Sequence, residues 1–253
     1  MNYTDLIFDL YGTLVDIHTE EDAVVWEKTA LYFGYYGAAY TGEELRDAFQ
    51  AAMAAKKAKA GQNYECFPDL PFEPVMAELF RAKGVTENAE ELGKNASQLF
   101  RIASTEYIRL YPGVTEALVE LREKGYRLWL LSNAQRVFTM PEMEAFGLPE
   151  YFDDIFISSD YGIRKPDPAF LMLLLEKHDL QKEDTVMIGN EFASDIRTAD
   201  ACGIDSVFIN TGGYSRRKIA EMMKETDPAA KVRIIYSRNL EEILKEEDEC
   251  LNG

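Results

Sequence analysis

The segment that decides the fold lies near the N-terminus and reads Leu6-Ile7-Phe8-Asp9-Leu10-Tyr11-Gly12-Thr13. The run Leu6–Leu10 is short and mostly apolar, which is typical of a strand buried on both faces of a parallel sheet. Asp9 and the Gly12-Thr13 pair lie where this strand ends. Open parallel sheets bind ligands beyond the carboxyl ends of their strands. We therefore expect Asp9 to belong to a functional site at that edge.

Further apolar runs of the same kind follow along the chain. They are Leu128–Leu131, Ile155–Ser158, Thr185–Ile188, Ser206–Ile209 and, as a sixth strand, Val232–Tyr236. The sequence between them has helical periodicity, as in the stripe of Ala117, Leu118 and Leu121 that ends at Lys124-Gly125. This alternation of strands and helices predicts an α/β fold built on a parallel sheet.

The stretch from residue 17 to residue 110 interrupts this alternation. It contains helix-period stripes and no convincing strand. One stripe comprises Phe72, Val75, Met76, Leu79 and Phe80, and another comprises Leu92, Ala96, Leu99, Phe100, Ala103 and Tyr107. We therefore predict a helical domain at residues 17–110, inserted into a core domain formed by residues 1–16 and 111–253. Gly61–Pro74, which contains three prolines, is expected to be a loop between helices.

The composition limits the classes of function. The chain has 253 residues, a net charge of -18 and 47% hydrophobic residues, the balance of a globular protein. This charge would repel nucleic acid and anionic membranes, so we expect neither as a partner, whereas a small anionic substrate remains compatible. The three cysteines, Cys66, Cys202 and Cys250, form no paired pattern. This cysteine pattern favours a reducing compartment. Because no apolar run is long enough for a membrane span, we expect a cytoplasmic location.

Polar residues follow the other predicted strands as well. Ser132-Asn133 follows the second strand, Lys165 lies in the loop after the third, and Gly189-Asn190-Glu191 with Asp195 follows the fourth. Each motif alone could be a turn or a helix cap. Taken together and in this order, with the Asp9–Thr13 turn, they resemble the motifs of the haloacid dehalogenase superfamily. The resemblance covers nearly the whole chain.

The resemblance implies a Rossmann-like core domain and an all-helical cap domain that closes over the site and selects the substrate. It also implies that Asp9 is the nucleophile, with Ser132 and Lys165 as the other catalytic residues. Tyr11, Gly12, Thr13 and Asn133 are then expected to bind the substrate. A Mg²⁺ ion is expected between Asp9, the carbonyl oxygen of Tyr11, Asn190 and Asp195.

Two departures from the family pattern leave the reaction open. Phosphatases of the superfamily carry a second Asp where this chain has Tyr11, and a phenol cannot replace that general acid. Tyr at this position is the pattern of 2-haloacid dehalogenases, although the nearest match to their cap arginine, Arg46, is poor. The spacing of Asn190 and Asp195 is that of metal-dependent phosphatases, with Asn in place of the first Asp and with Glu191 available to compensate.

Three hypotheses follow. The leading one is a Mg²⁺-dependent phosphatase that acts on a small phosphorylated metabolite. The second is a 2-haloacid dehalogenase. The third is a small-ligand binding or regulatory protein that has lost turnover. The sequence predicts neither the substrate nor the oligomeric state.

Overall fold

The strands form a six-stranded parallel sheet and a separate two-stranded ribbon in the computed structural model, which describes residues 3–59 and 69–245. The strands are β1 (Asp5–Phe8), β2 (Val15–Thr19), β3 (Thr105–Leu110), β4 (Arg127–Ser132), β5 (Asp154–Ile157), β6 (Thr185–Gly189), β7 (Asp205–Ile209) and β8 (Val232–Ile235). The large sheet has the order β5-β4-β1-β6-β7-β8. All six strands predicted from apolar runs are confirmed, and β1 lies between β4 and β6.

The helices are α1 (Ala23–Tyr35), α2 (Gly42–Lys59), α3 (Phe72–Ala82), α4 (Ala89–Ser104), α5 (Val114–Glu123), α6 (Arg136–Ala145), α7 (Ser158–Tyr161), α8 (Pro168–His178), α9 (Arg197–Cys202) and α10 (Arg216–Thr226). Helices from α5 onward cover both faces of the large sheet. Successive side chains of β1 point to opposite faces, so Leu6 and Phe8 pack with α5 and α6 while Ile7 packs with α8 and α9. The predicted α/β fold with a parallel sheet is confirmed.

Helices α1–α4 form a unit with a hydrophobic core of its own, which we call the helical unit. Its buried side chains include Trp26, Phe33, Phe80 and Phe100, and none of them belongs to the clusters around the sheet. The rings of Phe33 and Phe80 stack with their centroids 3.9 Å apart. The two apolar stripes predicted for this part of the chain lie in α3 and α4. The helical unit therefore does not depend on the sheet for its own packing.

The prediction that residues 17–110 contain no strand is wrong at both ends of that stretch. β2 and β3 pair antiparallel between the sheet and the helical unit, with Ile17 opposite Ile108. The second stripe was expected to continue to Tyr107, but α4 ends at Ser104 and Tyr107 lies in β3. The ribbon pairs segments about ninety residues apart, so local periodicity gives no sign of it.

Polar contacts join the helical unit to the loops at the edge of the sheet. The side-chain amide of Gln135 donates to Asp69 Oδ1 and to the carbonyl oxygen of Leu70, each at 3.0 Å, and Phe72 N donates to Gln135 Oε1 at 3.0 Å. The guanidinium of Arg101 in α4 forms an ion pair with Glu142 in α6, at 2.6 Å between Nε and Oε1. The helical unit is thus held against the edge at which the strands end.

Two further predictions concern smaller features. Cys202 is a buried free thiol, whereas Cys66 and Cys250 lie outside the described residues. The predicted loop Gly61–Pro74 also falls largely outside them, and its end differs from the prediction because α3 begins at Phe72. Over residues 3–59 and 69–245, no helix combines the length and the apolar character that a membrane span requires.

Candidate active site

Asp9, Lys165 and Asp195 meet beyond the carboxyl ends of β1 and β6. Lys165 Nζ donates to Asp9 Oδ1 at 2.8 Å, to Asp195 Oδ1 at 2.7 Å and to the carbonyl oxygen of Leu131 at 2.7 Å. The side chains of Lys165 and Asp195 are each 1% exposed, and that of Asp9 is 9% exposed. One ammonium group therefore bridges two buried carboxylates, and all three of its N–H bonds are used.

The electrostatics of this cluster favour a charged lysine and a carboxyl group that is easily protonated. Burial raises the pKa of Asp9 to about 6; Lys165 acts to lower it and Asp195 to raise it. Burial also acts to lower the pKa of Lys165, but the attraction of Asp195 and Asp9 outweighs it, so this pKa lies above its ordinary value. A further cation at Asp9 would favour its ionised form, the form in which it can act as a nucleophile.

The turn after β1 is closed by Gly12 and Thr13. Gly12 has φ of +84°, and a Cβ atom on it would collide with the side chain of Asn190. Thr13 Oγ1 lies 3.1 Å from Asp9 Oδ2 and 3.2 Å from Asn190 Oδ1. The carbonyl oxygen of Gly12 accepts a hydrogen bond from the hydroxyl of Thr211 at 2.6 Å. Glycine at this position thus allows the Asn190 amide and the Asp9 carboxylate to converge on one hydroxyl group.

Asp195 holds the loop after β6 in place. Its Oδ2 accepts hydrogen bonds from the backbone N–H groups of Asn190 and Glu191, both at 3.0 Å. Its other oxygen accepts from Lys165, so both carboxylate oxygens have donors. The carboxylate of Glu191 accepts from the hydroxyl of Ser194 at 2.6 Å. The geometry gives Asp195 a clear part in positioning Asn190 and Lys165, and its binding of a metal stays a prediction.

Ser132 and Asn133 lie at the end of β4, where the sequence places them. Ser132 is 1% exposed, and its Oγ has no hydrogen-bond partner among the described residues. Asn133 Oδ1 accepts from Lys165 N at 2.8 Å, and its Nδ2 donates to Lys165 O at 2.9 Å. Asn133 therefore fixes the backbone that carries Lys165, whereas the buried Ser132 hydroxyl is left to donate to a ligand.

Tyr11 belongs to a cluster that the sequence does not predict. Its hydroxyl contacts Glu142 and lies 3.0 Å from Thr139 Oγ1, and both partners are on α6. Burial and the charge of Glu142 raise the pKa of Tyr11 well above its usual range, although Arg101 acts to lower it. The guanidinium of Arg101 also lies 5.1 Å from the centroid of the Tyr11 ring. A phenol held in this way is a poor proton donor.

Two of the clefts that described residues line open at this edge of the sheet. The nucleophile cleft, of about 500 Å³, is lined by Asp9, Lys165, Asn190, Glu191 and Asp195, among others. The interface cleft, of about 570 Å³, lies between the helical unit and the loops that follow β4 and β5. Both have the size of small-molecule sites.

The oxygen atoms near Asp9 suit a hard cation. In the part of the chain that the structure describes, no three His, Cys, Asp or Glu side chains are placed to hold a metal together. The Asp9 carboxylate and the Asn190 amide oxygen converge on Thr13, and the carbonyl oxygen of Tyr11 is the further donor expected from the sequence. Mg²⁺ is bound in many phosphate sites by only one or two carboxylates, with water and substrate oxygens completing the shell. The donor set therefore fits Mg²⁺, in a site whose protein ligands carry little negative charge.

Arg46 does not join the site. It is partly exposed on α2, where its guanidinium forms ion pairs with Asp47 at 3.1 Å and Glu43 at 3.8 Å. It is not among the residues that line either cleft. The resemblance to the cap arginine of dehalogenases therefore has no structural counterpart at this position.

Comparisons with known proteins agree on the family. The haloacid dehalogenase-like hydrolase family matches residues 6–203. The phosphoglycolate phosphatase of Vibrio cholerae is 30% identical over 213 residues, which are 83% of this chain and 85% of that protein. The glyceraldehyde 3-phosphate phosphatase of Methanothermobacter thermautotrophicus is 30% identical over 104 residues, which are 41% of this chain and only 46% of that protein.

Solved structures show the same fold over nearly the whole chain. The 2-haloacid dehalogenase of Pseudomonas syringae has a TM-score of 0.65 and 19% identity, and the match covers 96% of each chain. A magnesium-bound HAD-hydrolase of Bacillus subtilis has a TM-score of 0.54 and 20% identity, with 100% of each chain covered. At these identities the likeness concerns the fold alone. With the family match over residues 6–203, it establishes that this chain belongs to the haloacid dehalogenase-like hydrolase family and is a hydrolase.

Proposed function

We propose that this chain is a phosphatase that hydrolyses a small phosphorylated metabolite, with Asp9 as nucleophile and Mg²⁺ as cofactor. The observation that carries the proposal is the bridge from Lys165 Nζ to the buried carboxylates of Asp9 and Asp195. A buried carboxylate held by a lysine beside an unpartnered serine hydroxyl is suited to attack a phosphoryl group and to bind its oxygens.

The reaction would proceed in two displacements. An oxygen of Asp9 forms a bond to phosphorus while the bond from phosphorus to the ester oxygen breaks, and the alcohol leaves with a proton from water. Water then attacks phosphorus and releases phosphate and Asp9. Lys165 and the Ser132 hydroxyl would stabilise charge on the phosphoryl oxygens in both steps. A bound Mg²⁺ would supply further positive charge at those oxygens.

The helical unit would serve as the cap, and residues 17–110 as the inserted cap domain. Its contacts with Gln135 and through Arg101 support this role, because they join it to loops at the edge of the sheet where Asp9 lies. The relatives named above support a phosphorylated substrate, because phosphoglycolate phosphatase matches over most of the chain.

A phosphate-release assay tests the proposal. Wild-type protein is assayed with Mg²⁺ and a panel of small phosphomonoesters, beside the Asp9→Asn variant, which removes the nucleophile but keeps the shape of the side chain. We expect saturable release that falls by at least about a thousandfold in Asp9→Asn. Release at the same rate in both proteins would contradict the role of Asp9. No release from any ester would favour the non-catalytic ligand-binding hypothesis.

The second candidate function is that of a 2-haloacid dehalogenase, and Tyr11 is the residue that favours it. Displacement of halide from carbon needs no protonation of the leaving group, so a poor acid at this position costs nothing in that reaction. Halide release from 2-halo acids that survives removal of metal would support this candidate. An absence of halide release from several 2-halo acids, together with phosphate release, would exclude it.

A further inference from the structure

The interface cleft adjoins the proposed reaction centre. Tyr11 and Asn133 line both this cleft and the nucleophile cleft. Asn133 is also joined to the backbone of Lys165, whose ammonium group contacts Asp9. A phosphomonoester with its phosphoryl group at Asp9 can therefore extend its alcohol portion into the interface cleft.

The charge of the interface cleft is unusual for this protein. The chain as a whole carries a net charge of -18, yet three of the four charged side chains described in the cleft wall are cationic. They are Lys57, Arg101 and Arg164, with Asp69 as the single carboxylate. A local positive potential of this kind selects anionic ligands.

Two of these cations are available to a ligand. Arg101 is already neutralised, because Glu142 accepts both of its hydrogen bonds at 2.6 and 3.1 Å. Lys57 and Arg164 have no ion pair with any described residue. Both line the cleft together with Asp69, and both act to lower the pKa of that carboxyl group.

Asp69 forms no ion pair with Lys57 or Arg164. Its Oδ1 accepts from Gln135 at 3.0 Å and its Oδ2 accepts from the hydroxyl of Ser158. Burial raises the pKa of Asp69, although Ser158 and Arg164 act to lower it. The cleft wall therefore carries two cations beside one carboxylate that is already hydrogen-bonded, and this excess of positive charge favours a second anion.

Apolar side chains form much of the rest of the wall. Phe49, Met53, Phe72 and Phe138 contribute to it, and the rings of Phe49 and Phe72 lie 5.1 Å apart. These side chains come from α2, α3 and α6, so both the helical unit and the sheet contribute. An alcohol with a hydrocarbon portion and one charged end matches this arrangement.

We propose that the interface cleft selects phosphomonoesters whose alcohol carries an acidic group of its own, and that Lys57 and Arg164 bind that group. The proposal rests on the phosphatase function proposed above and names its substrate class. Arg164 directly precedes Lys165 in the sequence. The loop that supplies the Lys165 ammonium group would therefore also bind the acidic group of the alcohol.

The test uses pairs of substrates that differ only in charge. Phosphorylated ω-hydroxy acids with two to four carbons are compared with the corresponding primary amides, which have nearly the same shape. We expect the kcat/KM of the preferred acid to exceed that of its amide by at least about tenfold, as a charge-assisted hydrogen bond would give. Lys57→Met and Arg164→Gln should each lower this acid-to-amide ratio by about threefold or more.

Lys94→Met is the matched control, because Lys94 is exposed on α4 and does not line the cleft. It should keep the wild-type ratio. Equal kcat/KM values for acid and amide in the wild-type protein, or an unchanged ratio in both cleft variants, would overturn the proposal and leave the phosphatase function intact. If neither acid nor amide is hydrolysed while other esters are, the proposal is also overturned, whereas failure with all esters counts against the phosphatase function itself.

Discussion

Tyr11 stands where phosphatases of the family carry a second Asp, and its surroundings show what the residue does instead. Its hydroxyl is directed at Glu142 and Thr139 on α6. Glu142 is paired in turn with Arg101 of the helical unit. Tyr11 thus ties the turn after Asp9 to α6 and, through Arg101, to α4.

Tyr11→Phe should therefore change stability more than chemistry. Loss of a hydrogen bond to a half-buried carboxylate should lower the free energy of unfolding by about 1 to 2 kcal/mol in urea titrations. The kcat for phosphate release should fall by less than about tenfold, because a phenol with a raised pKa supplies little acid catalysis.

Tyr107→Phe is the control, since Tyr107 is exposed on β3 and its hydroxyl lies 3.4 Å from Asp16. That variant should match the wild-type protein in both measurements. A hundredfold or larger loss of kcat in Tyr11→Phe, with stability unchanged, would instead identify Tyr11 as the general acid.

At the scale of elements, the turn between β1 and β2 depends on close approach as well as on backbone conformation. Gly12 has φ of +84° and is covered by Asn190, whereas Gly84 has φ of +86° and open space within 4 Å of the position that a Cβ atom would take. The two glycines share the left-handed conformation and differ in their surroundings.

Substitution of each by alanine separates these two effects. Gly84→Ala should cost about 1 kcal/mol of unfolding free energy, the strain of a left-handed alanine. Gly12→Ala should cost clearly more and should abolish most phosphate release, because Asn190 must move away from the Asp9 turn. Equal costs for the two variants, with activity retained in Gly12→Ala, would show that Asn190 does not need this close contact.

Some of the structural elements are predictable from the sequence and others are not. Strands such as β1 and β6 are predictable because they are buried on both faces, and their polar ends bring Asp9 and Asp195 to one edge. β2 and β3 are not predictable in this way, because the sequence of the whole helical unit separates them and both strands are partly exposed. The Tyr11–Glu142–Arg101 cluster joins three segments that are distant in sequence, so no local sequence pattern predicts it. The same holds for the cationic interface cleft.

On the scale of the whole molecule, the site joins two units that each have their own core. The sheet supplies Asp9, Lys165 and Asp195, and the helical unit supplies part of the wall of the interface cleft. A ligand or a cation that binds at this edge stabilises the folded chain by mass action.

Mg²⁺ should therefore raise the melting temperature of the protein. At about 100 times its Kd the gain is about 2.7 kcal/mol, measured by thermal unfolding. NaCl of matched ionic strength controls for general screening of the large negative charge. Asp9→Asn, which removes a carboxylate from the proposed cation site, should show a much smaller shift. A shift of the same size in Asp9→Asn and in the wild-type protein would exclude Asp9 from the cation site.

The central claim is that Asp9 forms a covalent bond to the substrate, and acid quenching during turnover tests it most directly. The quenched protein is digested, and the peptide that contains Asp9 is analysed by mass spectrometry with and without prior borohydride reduction. We predict a phosphoryl group on Asp9 that borohydride converts to homoserine at position 9. Steady turnover with an unmodified Asp9 peptide at every quench time would contradict the claim.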